Sequence, residues 1–291
     1  MDRLENCVTA IRSDLVMEAC RIVMKRYGVP RRTLREPAWI LSDEERVVRH
    51  TKFLQSGGAS SEDFILYEPG IRMREAHGAH YALTVLHVYV HEYVHMISGE
   101  LEKKPKKTVQ AQGASFIGHI TVSGYHVRLI LEMPEEFEMR EGYISAHTVF
   151  NEGVTESFAR EVVAEYLRIA PPYVNATEED IARHRNLMSV DSEVVFYPTH
   201  VRMVSLMVDE LTQALGTLRN AWKKIYCGYF RGTDMFRNKS WKKLLKECEL
   251  TAIMEHASGC RGDKVHEIIK MLHNEMRKVA IIHLKASDLV S

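Results

Sequence analysis

His91-Glu92-Tyr93-Val94-His95 (HEYVH) sits inside a helix-forming run over residues 76–100, and the reading of that run decides the rest of the chain. Apolar Ala79, Leu83, Leu86, Val90, Val94 and Ile97 recur at helical spacing, and no proline falls between Pro69 and Pro105. Gly78 weakens only the first turn, and the charged, proline-containing stretch LEKKPKK at 101–107 stops the run. Residues four apart share a helix face, so His91 and His95 can present two imidazole nitrogens to one metal ion. Glu92, beside the first of them, brings a carboxylate within reach of a water on that ion, which is the geometry of metal-assisted hydrolysis. The helix is expected to pack on one side and stay polar on the other, at the floor of a cleft.

In a chain with fifteen histidines, HExxH arises by chance about one time in ten, so its context has to discriminate. His80, Thr84, His87, His91 and His95 fall along one stripe, and His87 and His91 are also four apart. Val88 follows His87 where a general base would be needed, so His91 and His95 are read as the ligands and His87 as a packed or supporting histidine. A catalytic zinc usually has three protein ligands and leaves its fourth position to water. The third candidate comes from Asn151 to Glu156 (NEGVTE), which opens the helical segment NEGVTESFAREVVAEYLR. Glu152 and Glu156 are four apart on one face, so Glu152 can bind the metal while Glu156 accepts the second ring N–H of a ligand histidine. Taken alone, the same segment reads as a surface helix capped by Asn151, with acidic residues favouring the N-terminal dipole. Two motifs in the right order make the metal reading the stronger one.

HEYVH followed by a helix carrying NEGVTE resembles the gluzincin zinc metallopeptidases, which combine HExxH with a glutamate in an Asn-Glu motif. The resemblance implies His91, His95 and Glu152 as zinc ligands, Glu92 as general base and Glu156 as the residue that orients a ligand. It spans about residues 64–230 and rests on the two helical motifs. Fifty-six residues separate His95 from Glu152, more than in compact members of the group, so the insert must loop out and return. The implied fold is zincin-like α+β: a small mixed or antiparallel sheet plus the active-site helix in an N-terminal lobe, and a mostly helical C-terminal lobe. The implied activity is peptide-bond hydrolysis, with Glu92 taking the proton from the attacking water and passing it to the leaving amine. Tyr197 and His200, in the segment FYPTHVR, are the candidates for stabilising the oxyanion, with capping or packing as the alternative role. A competing class is a catalytically inactive zincin-fold binding or regulatory module. Glu92 speaks for the enzyme, because a module that only binds metal needs no base at that position.

Composition agrees with an enzyme of this kind. The 291 residues are 45% hydrophobic, enough for a substantial core, and Lys+Arg and Asp+Glu are both 39. No global field steers the chain toward nucleic acid or an acidic membrane. The partner that the resemblance implies is a peptide or protein substrate. Oligomeric state has no signature in the sequence. Five cysteines, an odd number without a CxxC pair, read as free thiols. The N-terminal segment has no apolar run of signal-peptide length and no stretch reaches membrane-spanning length, so a cytoplasmic location is expected.

The remaining sequence divides into an N-terminal helical extension (1–50), an upper lobe with the HExxH helix and a β-hairpin insert (51–150), and a helical lower lobe with the third ligand (151–291). A helix is expected over 3–27, ending at Gly28 and Pro30, then a charged connection to about 58. Phe64 to Tyr67 reads as a strand ended by Pro69 and Gly70, a candidate sheet edge for holding an extended substrate. Residues 115–122 and 126–131 read as a hairpin turning around Ser123-Gly124-Tyr125, and 132–141 as an acidic loop. His119, His126 and His147 lack a matched partner spacing and read as ordinary histidines. Further helices are expected over 178–186, 199–215, 217–229, 240–257 and 263–284.

Overall fold

The computed structural model describes residues 2–30, 34–46, 54–60, 62–101, 107–111, 114–132, 141–146, 148–170, 172–173, 176–187, 198–233 and 238–247. The chain divides into two compact units, Met1–Ser98 with Glu152–Phe230, and Gly99–Asn151 with Arg231–Ser291.

The first unit opens with two helices, α1 (Asp2–Thr9) and α2 (Ser13–Tyr27), where one was expected. The break falls at Arg12, which is extended and donates its backbone N–H to the Tyr166 hydroxyl at 3.1 Å. As the sequence indicates, α2 ends at Gly28, whose φ of 65° is the left-handed cap that glycine adopts without a Cβ clash. Next come β1 (Ala38–Ser42), β2 (Gly57–Ala59) and β3 (Asp63–Tyr67). They form a mixed sheet in the order β1-β3-β2, with β1 parallel to β3 and β2 antiparallel to it, Gly57 facing Leu66 and Ala59 facing Phe64. Phe64 to Tyr67, expected at a sheet edge, is therefore in the central strand, with β1 and β2 on either side of it. β2 escapes a propensity reading because Gly57-Gly58-Ala59 has none of the branched or aromatic residues that mark strands.

Helix α3 (Glu68–Ala76) starts where the sequence suggested a break. Pro69 is tolerated there because the first-turn N–H groups have no intrahelical partner to lose. Gly70 is required by close approach, since a Cβ on it would lie 2.1 Å from the Gln55 carbonyl oxygen. Helix α4 (Tyr81–Met96) carries HEYVH and begins after His80, whose ring accepts the Leu83 N–H. Every residue of α4 except His95 is buried, which corrects the expectation of a polar face. A helix covered on all sides is central to its unit, and α1, α3, β2 and β3 pack against this one. Arg3 helps to hold α1 in place, pairing with Glu75 through two hydrogen bonds and lying 3.8 Å over the Tyr81 ring.

The insert is the antiparallel sheet of the second unit: β4 (Glu100–Leu101), β5 (Lys107–Ala111), β6 (Ala114–Ser123), β7 (His126–Glu132) and β8 (Glu141–Ala146). Its order is β4-β6-β7-β8 with β5 also paired to β6, so the expected hairpin forms the middle of a five-stranded sheet. The β6–β7 turn uses Gly124 at φ 60°. His119 and His126 lie on β6 and β7, while His147 and most of the expected acidic loop lie outside the described residues.

Helix α5 (Thr148–Ile169) begins three residues before Asn151. Asn151 is thus not an N-cap; its side chain accepts the Tyr125 backbone N–H at 2.8 Å. Then follow α6 (Glu178–Leu187), α7 (Pro198–Leu215), α8 (Leu218–Tyr229) and α9 (Lys239–Glu247). The expected helix over 240–257 is described as far as Glu247, and 263–284 lies outside the described residues. A mixed sheet beside the HEYVH helix, followed by long helices, makes this a zincin-like α+β fold. Tyr27 packs edge-on to Tyr226 at 5.1 Å and Arg26 pairs with Glu165, which docks α2 on α8 and α5. Among the described residues Cys7, Cys20 and Cys227 are free thiols, and no helix is long and apolar enough to cross a membrane.

On α6, His184 is 1% exposed with its ring edge-on to His87 at 5.6 Å. Burial, helped by His87, pushes its pKa down to about 3. At neutral pH it is uncharged folded and unfolded, and it contributes no penalty. Below the unfolded value of about 6.5, the unfolded chain takes up a proton that the folded one refuses, so stability falls toward pH 3. The limiting slope for one such group is about 1.4 kcal/mol per pH unit. Urea unfolding between pH 7 and 4 is expected to show a shallower loss in His184→Phe than in the wild type. Equal slopes would rule out His184 as the source.

Candidate metal centre

Two helices of the first unit supply the site. α4 contributes His91, Glu92 and His95, and α5 contributes Glu152, Thr155 and Glu156, whose i, i+3, i+4 spacing puts all three on one face. His91 Nε2 lies 3.3 Å and His95 Nε2 3.1 Å from Glu152 Oε2, and the two ring nitrogens are 3.1 Å apart. A zinc ion with tetrahedral ligands at about 2.0–2.1 Å spaces its donors by about 3.3 Å, so this triangle fits the ion in both size and donor chemistry. His91, His95 and Glu152 are the one group of potential metal ligands among the described residues. The triad is a gluzincin-type HExxH…E zinc-binding arrangement.

No protein-family model matches the sequence, and comparisons with curated proteins and with solved structures return no match. The assignment therefore rests on the geometry of the gluzincin-type site itself.

Each ligand histidine is held by its other nitrogen. His91 Nδ1 lies 3.0 Å from Glu156 Oε2, so with Nε2 turned to the metal position the Nδ1–H donates to that carboxylate. Glu156 is fully buried and accepts two further donors, His87 Nε2 at 3.0 Å to both oxygens and Arg160 Nε at 2.8 Å. His87 is thus tied to the site through Glu156. His95 Nδ1 has a different neighbour, the Thr155 hydroxyl at 3.4 Å, which in turn lies 2.7 Å from the Tyr229 hydroxyl.

The charges follow from these contacts. Burial disfavours the ionised forms of Glu152 and Glu156, but the histidines around them outweigh it, and both carboxyls sit well below the usual range. Burial also opposes protonation of His91, yet hydrogen bonds to Glu152 and Glu156 raise it to about 10. Glu92 goes the other way: burial pushes its carboxyl up against the pull of His91 and His95. A raised carboxyl is suited to receiving a proton.

The edge strand β2 runs directly against Glu92. A Cβ on Gly57 would lie 2.5 Å from Glu92 Oε1, which only a glycine avoids. This contact has no signature in the sequence, because the two residues are thirty-five apart and a GGA strand has no pattern. Gly57→Ala is expected to lower peptide hydrolysis about tenfold or more by displacing Glu92, an effect comparable to a 1 Å misplacement. Zinc content per chain should be unchanged, since Glu92 is not a ligand. Full activity in this variant would mean that β2 can yield.

His200 lies on α7, half-buried, where α7 crosses α5. A Cβ on Gly153 would meet the His200 carbonyl oxygen at 2.4 Å, so the close crossing sets His200 beside the residue that follows Glu152. Burial lowers the His200 pKa, with Glu152 and Glu156 pulling against it. Tyr197 lies outside the described residues.

Proposed function

We propose that this protein is a zinc-dependent peptidase in which His91, His95 and Glu152 bind the metal, Glu92 is the general base and Glu156 orients His91. The observation that carries the reading is the convergence of three donor atoms beside a carboxylate that is not one of them. Zinc held there would lower the pKa of a water and polarise the substrate carbonyl. Glu92 takes the proton from the attacking water and delivers it to the leaving amine. The substrate main chain lies along β2, whose outer edge offers backbone groups for strand addition next to Glu92. His200 donates to the oxyanion from α7, with Tyr197 as the second candidate. A catalytically inactive binding module has no use for a buried carboxylate held against an edge strand, and the position of Glu92 favours the enzyme over it. The proposed substrates are peptides or proteins.

Elemental analysis of the purified chain should find about one zinc per molecule, and a chelator should abolish cleavage of a mixed peptide library until zinc is restored. Zinc without cleavage would move the reading to the binding module. Absence of zinc after loading would end both.

A further inference from the structure

Histidine ligands need their second nitrogen fixed, and the two here are fixed by different chemistry. His91 has a carboxylate. His95 has the Thr155 hydroxyl, and that hydroxyl is part of a longer connection. Tyr229, at the end of α8, is completely buried with its hydroxyl 2.7 Å from Thr155 Oγ1, and it also hydrogen-bonds Ser98. Ser98 lies two residues past the end of α4, with its backbone N–H on the His95 carbonyl at 3.1 Å. The Tyr229 hydroxyl thus joins the end of α4, the ligand face of α5 and the end of α8 beside a metal ligand. Burial pushes the phenol well above its usual pKa, so it stays neutral and keeps its proton for hydrogen bonding.

We propose that Tyr229 is a positioning residue for zinc binding, acting through Thr155 to hold the His95 ring with Nε2 toward the metal. This inference rests on the metal reading above and deepens it. With Nε2 committed to the ion, Nδ1 carries the hydrogen and Thr155 Oγ1 accepts it, which leaves the threonine proton to be given to the Tyr229 oxygen. A threonine hydroxyl alone can rotate and choose other acceptors. The buried tyrosine, packed edge-on against Phe230 at 5.1 Å, fixes that rotor and so fixes which way the histidine donates. Thr155 is three residues after Glu152, so one helical turn delivers the third ligand and the groups that orient both histidines.

The test uses the full chain and zinc itself. Zinc affinity is measured by chelator competition for the wild type, Thr155→Val, Thr155→Ser, Tyr229→Phe and the Val/Phe double variant. Partners of ligand histidines change metal affinity by about 10–100-fold, so Thr155→Val is expected to weaken binding within that range and Tyr229→Phe by about tenfold. Thr155→Ser restores the hydroxyl and should restore affinity, which a purely space-filling role would not predict. The double variant should bind no more weakly than Thr155→Val alone, because the tyrosine acts through the threonine. Cobalt substituted for zinc should show a shifted visible absorption in Tyr229→Phe, reporting the ligand geometry independently of folding. Wild-type affinity in Tyr229→Phe or in Thr155→Val, or additive losses in the double, would overturn the proposal while leaving the metal site intact. A wild-type chain that binds no zinc would instead overturn the metal reading and this inference together. Zinc binding without peptide cleavage would leave the inference supported by the affinities and remove only the peptidase activity.

Discussion

Glu92→Gln is expected to lower kcat for peptide hydrolysis by about 10²–10⁴-fold while the chain still binds zinc. The amide keeps the shape of the side chain and its place against Gly57, but it cannot take a proton from water. Glu92 is 6% exposed and is not one of the three converging donors, so the ligand set is untouched by the change. Its raised pKa comes from burial against the opposing charges of His91 and His95, and the amide removes that titration altogether. Steady-state kinetics on a cleaved peptide, alongside zinc content, reads both quantities in one preparation. Loss of zinc together with activity would show that Glu92 supports the metal, and unchanged kcat would assign the base elsewhere.

Glu156→Ala is expected to be the most damaging single change to both stability and metal affinity. The carboxylate is fully buried and holds His87, His91 and Arg160 at 2.8–3.0 Å. Removing one partner of a buried ionic cluster costs about 3–5 kcal/mol, because the remaining donors stay desolvated without an acceptor. Zinc affinity should fall about 10–100-fold, since His91 loses the group that sets its tautomer. Glu156→Gln separates the two effects: it keeps the volume, yet its amide nitrogen must face a donor, so it should bind zinc weakly with a smaller loss of stability. Urea unfolding and chelator competition measure each. An alanine variant as stable as the wild type would mean that the cluster relaxes or admits water.

The ligand set was legible because it is local. His91 with His95, and Glu152 with Glu156, are i, i+4 pairs, and a helix places such pairs on one face whatever the rest of the chain does. Helix stops at Gly28 and strand Phe64 to Tyr67 were legible for the same kind of reason, one through a left-handed cap and the other through short-range β preference. Pro69 misled, because proline breaks a helix interior but fits its first turn. The all-round burial of α4 was also hidden, since His87, Thr84 and Glu92 look polar in sequence: His87 is buried against Glu156 of α5, Thr84 bonds back to the His80 carbonyl, and Glu92 is covered by Gly57 of β2.

By itself, then, the sequence determined a reaction class: two helical motifs whose spacing presents His91, His95 and Glu152 as donors and Glu92 as a base. Tertiary structure alone decided what surrounds them. It put the glycine strand at Gly57 against Glu92, set β3 between β1 and β2, and joined Tyr229 to Thr155 across seventy-four positions. Contacts at such separations depend on how whole elements pack, and packing leaves no period in the chain from which the partners can be read.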